Sequence, residues 1–121
     1  RVCGPPTLIP PLIEKMGVEV FYSLEDALVG VDIVMMLRIQ KERQDKGFLP
    51  SNSEYIDFFS LNEEKLALAK RDALVMHPGP VNRGIELPAR IADGEKSIIL
   101  NQVTNGVAVR MAVLYLLLAK R

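Results

Sequence analysis

Arg38 and Gln40, in the run Leu37-Arg38-Ile39-Gln40-Lys41-Glu42-Arg43, are the residues of this chain best suited to hold a charged small molecule. A guanidinium presents a planar fork that grips a carboxylate or phosphate through two parallel hydrogen bonds. An extended backbone beyond Leu37 puts Arg38, Gln40 and Glu42 on one side. A helical backbone still brings Glu42 to Arg38 at i,i+4. Glu42 can therefore orient Arg38 in either case. The alternative is a solvated loop whose surface ion pairs contribute little. His77-Pro78-Gly79-Pro80 offers complementary chemistry. Pro78 and Pro80 lack an N–H, so the free backbone groups of this loop are mainly carbonyls, which accept from an amine or amide. Gly79 permits close approach of a ligand, and Gly79–Pro80 is a candidate cis peptide. In isolation the segment also fits a rigid turn ending a strand, with His77 as a hydrogen-bonded structural residue. Together the two loops suit a small ligand that carries carboxylates and an amine.

Both loops follow short apolar runs, Val31 to Leu37 and Ala73 to Met76, which read as buried strands of a parallel sheet. Ligands of open α/β sheets sit just beyond the carboxyl ends of such strands. The rest of the chain alternates in the same way. Arg1 to Cys3 reads as a strand end, Leu8 to Met16 as a helix with Pro10 and Pro11 in its first turn, and Val18 to Tyr22 as a strand. Ser23 with Asp26, Ser51 with Glu54 and Ser60 with Glu63 have the spacing of capping pairs. They predict helices over Leu24–Val29, about 53–59 and about 61–69, with a loop over Asp45–Ser51. Val81 to Lys96 reads as irregular, with Gly84 and Gly94 in turns. Ser97 to Leu100 reads as a short strand, and Thr104 or Asn105 as the cap of a helix running to about Ala119. This alternation predicts α/β architecture, a three-layer doubly wound parallel sheet that is incomplete at its N-terminus. The opening Arg1-Val2-Cys3-Gly4-Pro5-Pro6 has no initiator Met and reads as a cut inside a fold.

Composition excludes several classes. The 121 residues suit one domain or part of one, and 49% hydrophobic residues support a core. Zero formal net charge gives no footprint for nucleic acid or an anionic membrane. The longest apolar run, Met111 to Ala119, falls well short of the roughly 20 residues of a membrane span. One His and one Cys do not make a metal-ligand set. No glycine-rich nucleotide loop occurs, which argues against a dinucleotide-binding dehydrogenase half-domain. Lone Cys3 forms no internal disulfide and fits a reducing compartment such as the cytoplasm. Lys and Arg are scattered among acids and read as solvated faces. Of Met111 to Ala119 only the Tyr115 hydroxyl is polar, and a helix apolar on all sides must be buried on all sides. Two partners for it stay open, the core of this domain or a surface outside this chain.

Cys-Gly-Pro-Pro-Thr-Leu at 3–8, Leu-Arg-Ile-Gln-Lys-Glu-Arg at 37–43, Met-His-Pro-Gly-Pro-Val-Asn-Arg-Gly at 76–84 and Gln-Val-x-Asn-Gly-Val at 102–107 closely resemble the aspartate carbamoyltransferase catalytic chains. The likeness is in register along essentially the whole chain. It implies transfer of a carbamoyl group from carbamoyl phosphate to the α-amine of L-aspartate, in pyrimidine synthesis, with no metal or organic cofactor. It also implies a homotrimer of the full-length chain and leaves room for regulatory subunits. By position, Arg38 would grip an aspartate carboxylate and Gln40 would hold the same substrate, with Glu42, Arg43 and His77 behind them. The carbonyls of Pro78 and Gly79, shaped by a cis bond to Pro80, would hold the amino group of carbamoyl phosphate. Residues Asp45 to Ser60 would lie on a loop closing over aspartate. Residues 1–103 would be the aspartate-binding domain, and 104–121 a helix packing on a carbamoyl-phosphate domain. The family's Ser-x-Arg-Thr motif and its oxyanion-stabilising Arg and His are not in this sequence, so no catalytic residue is expected within it. The other readings are a non-catalytic binding module of the same family and an ornithine-type carbamoyltransferase. In the ornithine type a Cys replaces Pro78.

Overall fold

The computed structural model describes residues 1–40 and 51–119. Glu42, Arg43 and most of the expected Asp45–Ser51 loop lie outside the described residues. Among the described residues the strands form two parallel pairs. β1 (Val2–Cys3) runs beside β2 (Val20–Phe21), and β3 (Ile33–Met35) beside β4 (Leu74–Met76). A cavity of about 700 Å3 is lined by residues of both β1 and β3. Apolar β-rich runs form these strands, and alternation buries Val34 and Val75 while Ile33, Met35 and Leu74 face outward. β3 and β4 are thus buried on one face, not on both as their unbroken apolar character suggests, while β1 and β2 are half-buried throughout.

The core gathers Leu24 and Leu28 from α1 (Leu24–Leu28), Val34 and Met36, and Val75. To these it adds Leu61, Leu66 of α3 (Glu63–Leu66), Leu87, Ile91 and Ala92 of α4 (Ala89–Ala92), and Ile99. The hydroxyl of Ser23 accepts from Asp26 N at 3.1 Å and opens α1. The hydroxyl of Ser51 accepts from Glu54 N at 3.2 Å and opens α2 (Asn52–Phe59). Both match the capping pairs in the sequence. Lys65 departs from the expectation of a solvated cation. It is buried, and its Nζ donates to the carbonyls of Asp57 at 2.8 Å and Phe58 at 3.1 Å, with Glu25 3.4 Å away. These carbonyls belong to the last turn of α2, where no intrahelical donor is left.

Five expectations are corrected. The Leu8–Met16 helix is instead two short 3-10 turns, Pro6–Leu8 and Ile13–Met16. Pro10 and Pro11 fall between them, and Leu12 adopts φ 64°, which ends any α-helix there. The helix after Ser60 starts later, because Asn62 Oδ1 accepts from Lys65 N at 2.8 Å and takes the cap. The expected irregular stretch contains α4, which begins directly after Pro88. The expected Ser97–Leu100 strand contributes one bridge, Val75 to Ser97, and then becomes helix. α5 spans Ile99–Leu118, so Thr104 sits inside it and donates back to Leu100 O at 3.1 Å.

α5 meets the rest of the fold chiefly near β4. Beyond Ile99 its apolar side chains stand in solvent, Leu100, Met111 and Leu114 to Leu118 among them. No helix among the described residues is long and apolar enough to cross a membrane. Exposed contiguous apolar surface of this size marks an interaction face or an aggregation hazard. At roughly 25 cal/mol per Å2, covering it stabilises an assembly by several kcal/mol. The isolated 121-residue chain should therefore self-associate or precipitate in sedimentation velocity, and a monodisperse monomer would contradict the packing argument.

Candidate functional site

Parallel pairing sets the geometry of the site. Met35 stands opposite Met76, and Met36 N donates to Met76 O at 2.9 Å, so both chains leave the sheet at one edge. Arg38 and Gln40 follow from β3, half-buried on either side of buried Ile39. This alternation agrees with the extended option, in which Arg38 and Gln40 share a side. From β4 comes His77-Pro78-Gly79-Pro80, with Pro78 and Pro80 exposed, Gly79 half-buried and His77 wholly buried. The Gly79–Pro80 peptide is cis, as the sequence reading expects.

The two loops are tied by a residue the sequence reading passed over. Glu86 is completely shielded from solvent. Its Oε1 accepts from Ile39 N at 2.8 Å and from Asn82 Nδ2 at 2.7 Å, and its Oε2 accepts from Asn82 N at 2.9 Å. Asn82 Nδ2 also donates to Ile39 O at 3.2 Å. Both backbone groups of the residue between Arg38 and Gln40 are thus held by the chain that continues from the proline loop. Glu86 is itself anchored through its carbonyl, which accepts from Leu61 N at 2.8 Å and Ser60 Oγ at 3.3 Å. Burial, with the negative charge of Glu86 added, pushes the Tyr55 hydroxyl up to about 12. The one sequence signal for Glu86 was a carboxylate between Ile85 and Leu87, just after a turn at Gly84, whose φ is 81°.

The proline loop has its own fixture. Gly79 N donates to His77 Nδ1 at 2.9 Å, and His77 N donates to Gln102 Oε1 on α5 at 2.9 Å. Gly79 adopts φ 68°, a left-handed conformation that favours glycine. Burial lowers the pKa of His77 below the ordinary 6.5, and the charge of Glu86 pulls in the opposite direction. With Gly79 N–H occupied and two prolines beside it, the loop's remaining backbone groups are carbonyls. A cation and an amide on one loop thus adjoin a loop that offers acceptors. Glu42 and Arg43 lie outside the described residues.

The family model described as "Aspartate/ornithine carbamoyltransferase, Asp/Orn binding domain" matches residues 12–117. The chain is 65% identical over 114 residues to the aspartate carbamoyltransferase catalytic subunit of Beijerinckia indica, covering 94% of this chain and 36% of the relative. It is 61% identical to that of Acetivibrio thermocellus, covering 96% of this chain and 37% of the relative. The chain thus spans little more than a third of the length of these curated relatives. Among solved structures, an ornithine carbamoyltransferase from Thermus thermophilus superposes with a TM-score of 0.72 at 22% identity, over 91% of this chain and 35% of the other. The aspartate transcarbamoylase from Trypanosoma cruzi, in complex with carbamoyl aspartate and phosphate, superposes with a TM-score of 0.65 at 25% identity, over 85% of this chain and 32% of the other.

Two measurements on the full-length chain check the fixtures. Glu86→Ala leaves the buried amide of Ile39 and the half-buried amide of Asn82 without their acceptor, at a cost of up to about 1–3 kcal/mol for each such group. Urea unfolding should register a loss of about 2 kcal/mol, and hydrogen exchange at Ile39 should accelerate; an unchanged Ile39 amide would contradict the clamp. Because His77 is disfavoured as a cation when folded, the unfolded chain takes up its proton first as pH falls. The stability this provides is fully present above pH 6.5 and is lost between 6.5 and the lowered folded value. The urea midpoint should fall between pH 7.5 and 5.5 in the wild type and change less in His77→Asn.

Proposed function

Because this chain belongs to the aspartate/ornithine carbamoyltransferase family, as its Asp/Orn binding domain, we propose that it is the amino-acid-binding part of an aspartate carbamoyltransferase. The full-length enzyme would transfer the carbamoyl group of carbamoyl phosphate to the α-amine of L-aspartate, giving N-carbamoyl-L-aspartate and phosphate for pyrimidine synthesis. The observation that carries this reading is the pairing of Arg38 and Gln40 about a clamped Ile39, beside an acceptor-rich proline loop.

In this reading the Arg38 fork holds an aspartate carboxylate and Gln40 holds the same molecule. The carbonyls of Pro78 and Gly79, beside Pro80, accept from the amino group of carbamoyl phosphate and steer the incoming amine. The chain's own residues bind and orient. Stabilising charge on the tetrahedral intermediate and on the leaving phosphate falls to groups outside this sequence. Residues 1–103 form the aspartate domain, whose strands join a three-layer doubly wound sheet in the full-length chain. The last helix docks on the carbamoyl-phosphate domain, which suits the bare apolar surface of α5. The full-length chain works in the cytoplasm as a homotrimer without metal or organic cofactor.

Arg38→Ala in the full-length chain should lower kcat/KM for aspartate by roughly tenfold to a hundredfold, the loss of a charge-assisted contact. Binding of carbamoyl phosphate should change little. Steady-state kinetics with each substrate varied, and with ornithine offered in place of aspartate, decide the matter. Unchanged aspartate kinetics would remove Arg38 from the site, and turnover of ornithine alone would move the chain to the sister activity.

A further inference from the structure

We propose that His77 is a positioning residue which, through Nδ1, holds the proline loop in its acceptor-only form, an inference that rests on the reading of Pro78 and Gly79 as ligand-binding. A backbone N–H can donate to Nδ1 only when that nitrogen carries no proton. The 2.9 Å contact from Gly79 N therefore fixes the neutral tautomer with its hydrogen on Nε2. The ring closes a side-chain turn around Pro78, in the manner of an Asx turn, with the acceptor two residues before the donor. That turn holds Gly79 at φ 68°.

The consequence is chemical. Pro78 and Pro80 have no N–H, and Gly79 N–H is spent on His77. A ligand meeting this loop's backbone finds acceptors only, which selects a group that donates hydrogens, such as a carbamoyl NH2 or an amine. Without the Nδ1 acceptor, Gly79 N–H would be released to compete for that group's place.

His77 itself is well fixed for this task. No part of it reaches solvent, and its own N–H is held by Gln102 Oε1. The Gln102 carboxamide is oriented in turn by Met35 Sδ, 3.6 Å from its Nε2. Glu86 is the charged group whose field reaches the imidazole. Nε2 is sealed and has no hydrogen-bond partner among the described residues, so the bond that holds the ring is the one through Nδ1.

The test uses the full-length chain and two replacements that separate the nitrogens. His77→Asn keeps an acceptor oxygen close to the position of Nδ1. His77→Gln carries its amide out toward Nε2 and gives up that acceptor. With carbamoyl phosphate varied at saturating aspartate, H77Q should lose roughly tenfold or more in kcat/KM while H77N stays within about threefold of wild type. Equal behaviour of H77N and H77Q, both impaired or both unaffected, would overturn the role of Nδ1. Should H77Q fail to fold, H77A removes the same acceptor and takes its place. Pro80→Ala, which adds an N–H to the loop, is the control for the underlying reading. If P80A is impaired and both His77 variants are unaffected, the loop binds ligand and His77 does not position it. If P80A and the His77 variants are all unaffected, the reading of the loop falls as well.

Discussion

The buried carboxylate of Glu86 is the contact on which the site depends. A carboxylate withdrawn from water is costly unless its oxygens receive hydrogen bonds. Here the donors are Ile39 N, Asn82 N and Asn82 Nδ2, all between 2.7 and 2.9 Å. Satisfying that one group forces the segment after β3 against the segment after β4. Asn82 completes the clamp by donating to Ile39 O as well. Arg38 and Gln40 are therefore set by the backbone between them.

The clamp works because the sheet has already brought its parts together. The parallel register of β3 and β4 aligns Met35 with Met76, so both following loops leave at one edge. Core packing of Leu61 and Leu87, both wholly buried, fixes the segment that carries Glu86. Ser60 and Leu61 then tether the Glu86 carbonyl. The local accuracy of the site is thus inherited from close-packed apolar residues that touch no ligand.

α5 meets this arrangement through one side chain near its start. Gln102, near its start, holds His77 N on one side and reaches Met35 Sδ on the other. One side chain of the helix thus reaches the carboxyl ends of both β3 and β4.

What the sequence settled by itself was local. The caps at Ser23 and Ser51 are hydrogen bonds between residues three apart, so spacing and residue type suffice to read them. The acceptor-rich character of His77-Pro78-Gly79-Pro80 follows from the covalent fact that proline has no N–H. The motifs around Arg38 and His77 also carried the family resemblance, and the family match agrees with it. Tertiary structure decided the rest. Where a helix starts depends on which cap wins, so Asn62 displaced Ser60 and α5 began at Ile99 before Thr104. Two prolines and a left-handed Leu12 outweighed the apolar pattern of residues 8–16. Glu86 reaches Ile39 across 47 residues. No local spacing encodes such a contact, because it exists only once the core has placed both segments side by side.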